Sequence, residues 1–112
     1  ELLVVGSMHE RKRRMFELAD AFAVLPGGLG TLDETFEIIT WKQLGLHDKP
    51  IAIIDVAGYW APLAALIEHA VAKGFAAPAV RNLYRILPRV EDLLPALAQA
   101  APPKPAADSK LV

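Results

Sequence analysis

Residues 21–32 read AFAVLPGGLGTL, and the order of residue types in this stretch decides the fold. AFAVL is apolar without alternation, which predicts a strand buried on both faces. Pro26-Gly27-Gly28 breaks that strand, and helical spacing of apolar residues takes over from Gly30. A fully buried strand that passes through a glycine turn into a helix is half of a parallel crossover unit. Outward from it, apolar runs recur at residues 1–5 (ELLVV), 51–56 (IAIIDV) and 83–87 (LYRIL). A segment with helical spacing separates each from the next. The expected architecture is α/β, a parallel sheet of the doubly wound kind flanked by helices.

The helices follow from periodicity and punctuation. The first is predicted over residues 9–20, the second over 30–44 with Gly45 as its end, and the third over 59–73 with Gly74 as its stop. The fourth, over 90–100, contains Pro95, so it is expected to kink or to begin later than Glu91-Asp92 suggests. Beyond residue 100 the run APPKPAADSKLV is rich in Pro and Ala and has no apolar period, which predicts a disordered tail over 101–112. Four strands are few for this architecture, and ELLVV reads as a strand already in progress. Residues 1–100 are therefore expected to be the C-terminal portion of a larger single domain lacking its N-terminal strands, with a compact four-stranded unit as the alternative.

Composition limits the function. The 112 residues carry 12 Lys+Arg and 13 Asp+Glu, a formal charge of -1. That balance gives no overall positive field for long nucleic acid or an anionic membrane surface, so any phosphate must be held locally. With no cysteine there is no disulfide, thiolate ligand or thiol nucleophile, and a reducing, cytoplasmic setting is the default. His47 and His69 lack partners at metal-ligand spacing, so neither a metal site nor a cofactor is assigned. Trp41 and Trp60 are expected in the core or at an interface rather than as base-stacking platforms.

The chemistry concentrates between Met8 and Glu34. Without side chains at Gly27, Gly28 and Gly30, an anion can approach the backbone N–H groups, and Thr31 adds a hydroxyl donor. A tight strand-to-helix turn that binds nothing would use the same glycines. On the second helix Leu32, Phe36 and Ile39 form one apolar stripe, and Glu34, Ile38 and Trp41 form another. Asp33, Glu37 and Thr40 make the polar stripe. Glu34 thus lies on an apolar face one turn from the glycines, where desolvation would raise its pKa and suit it to act as base or nucleophile. The plainer alternative is a first-turn Glu that complements the helix dipole. In the run Arg11-Lys12-Arg13-Arg14, Arg13 can pair with Glu17 and Arg14 with Glu10 on the surface. Arg11 shares a stripe with Met15 and Leu18, and Lys12 with Phe16 and Ala19, so both are expected to face the same crevice as the glycine turn. His9 is a weaker candidate beside them.

Met8-His9-Glu10-Arg11-Lys12, Ala19-Asp20-Ala21-Phe22 and Pro26-Gly27-Gly28-Leu29-Gly30-Thr31-Leu32-Asp33-Glu34 closely resemble the LOG (Lonely Guy) family of cytokinin riboside 5′-monophosphate phosphoribohydrolases, often mislabelled lysine decarboxylases. The resemblance continues through residues 39–50 and more loosely from Gly58-Tyr59 to Arg81. It implies a Rossmann-like homodimer that hydrolyses the N-glycosidic bond of AMP or an N6-substituted AMP to free base and ribose 5-phosphate. It further implies that Arg11 and Glu34 are the catalytic pair and that Lys12, Gly28, Gly30 and Thr31 contact the nucleotide. The family's N-terminal half, with another glycine-rich turn, is absent from this sequence. A different class, a non-catalytic nucleotide or molybdenum-cofactor carrier of related fold, fits the phosphate turn equally well. The joint presence of Arg11 and Glu34 favours the enzyme.

Overall fold

The computed structural model describes residues 2–5 and 17–99. Four strands, β1 (Leu2–Val5), β2 (Ala21–Val24), β3 (Ile51–Ile54) and β4 (Arg85–Leu87), make one parallel sheet in the order β1-β2-β3-β4. The register sets Leu2 beside Ala21, Phe22 beside Ile51 and Ala52 beside Arg85. Three α-helices are described: α1 (Leu29–Gln43), α2 (Ala61–Ala72) and α3 (Leu93–Gln99).

Side-chain alternation sorts the sheet into two faces. Phe22, Val24, Ile51 and Ile53 point to one, where they pack with Ile38 and Ile39 of α1, Trp60, and Leu63 and Ile67 of α2. Ala23, Ala52, Ile54 and Leu87 point to the other, against Leu93 and Ala96 of α3. Strands in sequence order joined by right-handed crossovers bring α1 and α2 to a common face, and α3 returns across the other. The expected parallel, Rossmann-like sheet with helices on both faces is therefore observed; the order reversal of a doubly wound sheet is not among the described strands. Leu2 and Val4 share the α3 face by register but stay 39% and 38% exposed, beyond the cover that a seven-residue helix supplies.

Element ends moved where local chemistry outweighed the apolar run. β3 stops at Ile54, two residues short of Val56, because the Asp55 side chain accepts a hydrogen bond from the Trp60 N–H at 2.7 Å and closes a tight turn. Helix α2 accordingly begins at Ala61, with Pro62 in its first turn, where no intrahelical donor is required. The predicted glycine stops hold: Gly45 and Gly74 follow α1 and α2 with φ of 80° and 83°. The fourth predicted helix splits into a 3₁₀ turn, Val90–Asp92, and α3. Pro95 is the third residue of α3, so no kink is needed. Residues 83–84 fall outside β4, an edge strand in which only Leu87 is buried. Of the predicted first helix, residues 17 and 18 are helical; its remainder before residue 17 and the predicted tail at 101–112 lie outside the described residues.

Candidate functional site

The turn after β2 delivers the N-terminus of α1 to the C-terminal end of the sheet. Gly28 is the helix's N-cap residue, at φ −95° and ψ −152°, and no side chain among the described residues caps this end; the first turn holds no acidic residue. The Gly28 carbonyl takes the first helical hydrogen bond, from the Leu32 N–H at 3.0 Å. By helix geometry the N–H groups of Leu29, Gly30 and Thr31 then have no intrahelical acceptor. The positive end of the dipole meets no countercharge from its own first turn, which favours a bound anion by about 0.3–1 kcal/mol.

The three glycines differ in what they do. Among the described residues a Cβ on Gly28 or Gly30 would meet nothing within 4 Å. A Cβ on Gly27 would lie 2.7 Å from Cβ of Thr31, closer than packing permits. Gly27 is thus required by the fold of the turn itself, while the other two leave its outer side bare.

Glu34 lies one helical turn beyond Gly30 and is 8% exposed, buried in company with Thr35, Ile38 and Ile39. Thr35 is fully buried and donates its hydroxyl to the Thr31 carbonyl at 2.6 Å, which ties the first turn of α1 to its second. On the opposite side Asp33 and Thr40 are exposed and Glu37 is half-buried, as the polar stripe requires. The stripe of Leu32, Phe36 and Ile39 is less uniform than its spacing predicts, since Ile39 is buried while Phe36 remains 38% exposed.

A second loop reaches the same turn. After β3, Ala57 adopts φ 52° and Gly58 φ 74°, both left-handed, and the chain then presents Tyr59, whose hydroxyl donates a hydrogen bond to the Gly27 carbonyl. The Tyr59 ring meets the buried Trp60 edge-on, with centroids 5.1 Å apart. The indole Nε1 of Trp60 is buried with no hydrogen-bond partner among the described residues. Sequence reasoning missed Tyr59. The signal was the Asp55-to-Tyr59 loop at a strand C-terminus, the same end of the sheet as the glycine turn. Trp60 is a core residue and Trp41 packs half-buried against that core, as anticipated.

Gly27, Gly28, Gly30, Thr31 and Glu34 are thus gathered at one corner. Arg11, Lys12 and His9 lie outside the described residues. Among the described residues no cluster of three or more His, Asp or Glu could hold a metal ion. His47 sits at the other end of the sheet, 4% exposed. Its Nδ1 accepts from the Lys49 N–H at 3.0 Å, so its Nε2 carries the proton and donates to the Ile38 carbonyl at 2.8 Å. Burial pushes its pKa down to about 4, with Lys42 and Lys49 adding to the effect and the Ile38 bond and Asp48 opposing it. A cavity of about 150 Å³, lined in part by Lys42, Ile51, Tyr84 and Leu97, also lies at that end, away from the glycine turn.

Fold and turn together define a parallel α/β domain with a glycine-rich helix N-terminus at the C-terminal end of its sheet. The chain belongs to the LOG family, whose model, described as possible lysine decarboxylase, matches residues 1–97. It is 47% identical over 103 residues to a probable cytokinin riboside 5′-monophosphate phosphoribohydrolase of Oryza sativa subsp. japonica, covering 92% of this chain and 42% of that protein. Over 102 residues it is 44% identical to a cytokinin riboside 5′-monophosphate phosphoribohydrolase of Arabidopsis thaliana, covering 91% and 47%. A protein so named from Rhodococcoides fascians is 46% identical over 97 residues, covering 87% and 49%. The chain spans about half the length of the curated relatives it matches.

Proposed function

We propose that this chain is the C-terminal portion of a Rossmann-like nucleotide-binding domain that hydrolyses the N-glycosidic bond of AMP or an N6-substituted AMP. The products are the free base and ribose 5-phosphate. The observation that carries this is Glu34, a carboxylate buried one turn inside a helix whose N-terminus, among the described residues, is uncapped by any side chain and unpacked at Gly28 and Gly30. The relatives named as phosphoribohydrolases of a nucleoside 5′-monophosphate support it.

In this chemistry the bond from the sugar's anomeric carbon to the base nitrogen breaks, and its electron pair leaves with the base. Water adds to the carbon, giving one proton to the base and keeping the other as the new hydroxyl. Positive charge builds on the ribose, and the Glu34 carboxylate stabilises it. Two routes are open to Glu34, direct attack on the carbon or activation of the water. The glycine turn, Thr31 and Lys12 hold the 5′-phosphate, a remote contact whose binding energy presses the sugar against Glu34. Arg11, a guanidinium that stays protonated, clamps the phosphate or orients Glu34 and does not donate a proton.

A homodimer with the site near the subunit interface and a cytoplasmic setting belong to the same proposal. Leu29 and Phe36, seven residues apart on α1 and 84% and 38% exposed, supply an apolar stripe for the first. In support of the second, the chain contains no cysteine, and among the described residues no helix is long and apolar enough to cross a membrane. The test is to incubate the full-length protein with AMP and with isopentenyladenosine monophosphate and to resolve the bases by chromatography. Release of free base is expected. Tight AMP binding with no base released would instead identify a carrier.

A further inference from the structure

We infer that Tyr59 is a positioning residue of the glycine turn, setting the orientation of the Gly27–Gly28 peptide so that the turn offers an N–H rather than a carbonyl to a phosphate. This rests on the phosphate role proposed above for that turn. The described residues contain no cis peptide bond, and in a trans peptide the carbonyl and the following N–H point in opposite directions. The Tyr59 hydroxyl holds the Gly27 carbonyl, so the Gly28 N–H is directed to the far side of the peptide plane. Glycine on both sides of this bond makes the plane free to turn over. A flipped plane would aim carbonyl lone pairs at an incoming anion and repel it.

Two features show that Tyr59 is delivered to this position rather than resting there by chance. Ala57 holds φ 52°, a conformation that side-chain-bearing residues adopt only where their surroundings demand it. Those surroundings are explicit: the Asp55 N–H bonds to the Leu87 carbonyl at 2.8 Å, the Asp55 carboxylate takes the Trp60 N–H at 2.7 Å, and the Tyr59 N–H bonds to the Val56 carbonyl at 3.0 Å. The buried Trp60 then fixes the Tyr59 ring from its edge. On its other side Gly27 abuts the Thr31 side chain. The peptide is gripped between two elements, and of these contacts only the Tyr59 hydroxyl chooses which way the carbonyl faces.

The test compares Tyr59→Phe with the wild type in the full-length protein. It uses ¹⁵N relaxation dispersion to read conformational exchange over residues 27–31 without ligand, calorimetric titration with AMP, and steady-state base release. The ring is retained, so the melting temperature should barely move. The exchange contribution at Gly27 and Gly28 should rise at least fivefold, AMP affinity should fall about tenfold, and kcat/KM should fall by at least as much, because the phosphate contact both binds the nucleotide and positions its sugar. Gly58→Ala, which strains the loop at φ 74° without touching the tyrosine, should shift exchange and affinity the same way. Unchanged exchange and unchanged AMP affinity in Tyr59→Phe would overturn the inference. A wild type that releases no base would overturn the proposed hydrolysis, while the exchange and titration would still decide the role of Tyr59.

Discussion

The two ends of the sheet both place polar groups out of water, and they settle them in opposite ways. At the N-terminal end of the strands, buried His47 bonds a carbonyl and an N–H, half-buried Lys42 reaches the Lys49 carbonyl at 3.0 Å, and the Lys49 ammonium reaches the Glu17 carbonyl at 3.1 Å. Burial lowers the pKa of both lysines, and Asp48 opposes the shift at Lys42. At the C-terminal end, a helix begins with no side-chain cap among the described residues, a carboxylate is buried, and a left-handed alanine holds a loop in place. The first end spends its polar groups on closing the fold. The second gathers helix N-terminal donors and a buried carboxylate at one corner, the end at which open parallel sheets generally take their ligands.

Substitution can break this contrast. The largest effect is expected at Glu34: Glu34→Gln in the full-length protein should cut base release from AMP by about 10²- to 10⁴-fold while AMP affinity, read by calorimetry, stays within a few-fold. Unchanged turnover would remove Glu34 from the chemistry. At the opposite end the expected effect is on stability. The folded pKa of His47, about 4, lies below the 6.5 of a free imidazole, so the unfolded chain takes up its proton first as pH falls. The stabilisation is complete above pH 6.5 and is lost on the way down to pH 4, amounting to about 2–3 kcal/mol. Urea unfolding across that range should show the slope, and His47→Gln should flatten it.

Two glycines sharpen the comparison within the turn. Gly27→Ala drives a methyl into Thr31 and should cost about 1–2 kcal/mol of stability together with AMP affinity. Gly30→Ala meets no described residue and replaces a poor helix former in the first turn of α1. It should raise the melting temperature slightly, by less than about 1 kcal/mol in stability, yet weaken AMP binding. Equal behaviour of the two variants would mean that the turn has no ligand-facing side.

Much of this was readable in the chain. The apolar runs gave the strands, and Gly45 and Gly74 gave the helix ends, because backbone sterics act locally. The burial of Glu34 followed from its spacing with Ile38 and Trp41. What escaped was non-local. The loss of two residues from the end of β3 depends on Asp55 reaching Trp60, five residues on, and the contact of Tyr59 with Gly27 spans 32 residues. A lone histidine at position 47 gave no hint that both ring nitrogens would be satisfied by backbone.

The amino-acid order alone determined a parallel α/β sheet, a glycine turn opening a helix, and a carboxylate on that helix's apolar side, because periodicity and glycine's freedom are properties of neighbouring residues. Only the tertiary structure decided that Gly27 serves packing while Gly28 and Gly30 meet no other described residue, and that the loop after β3 closes on that turn. Those outcomes depend on which distant atoms arrive within bonding distance, and that is set by how the strands stack side by side.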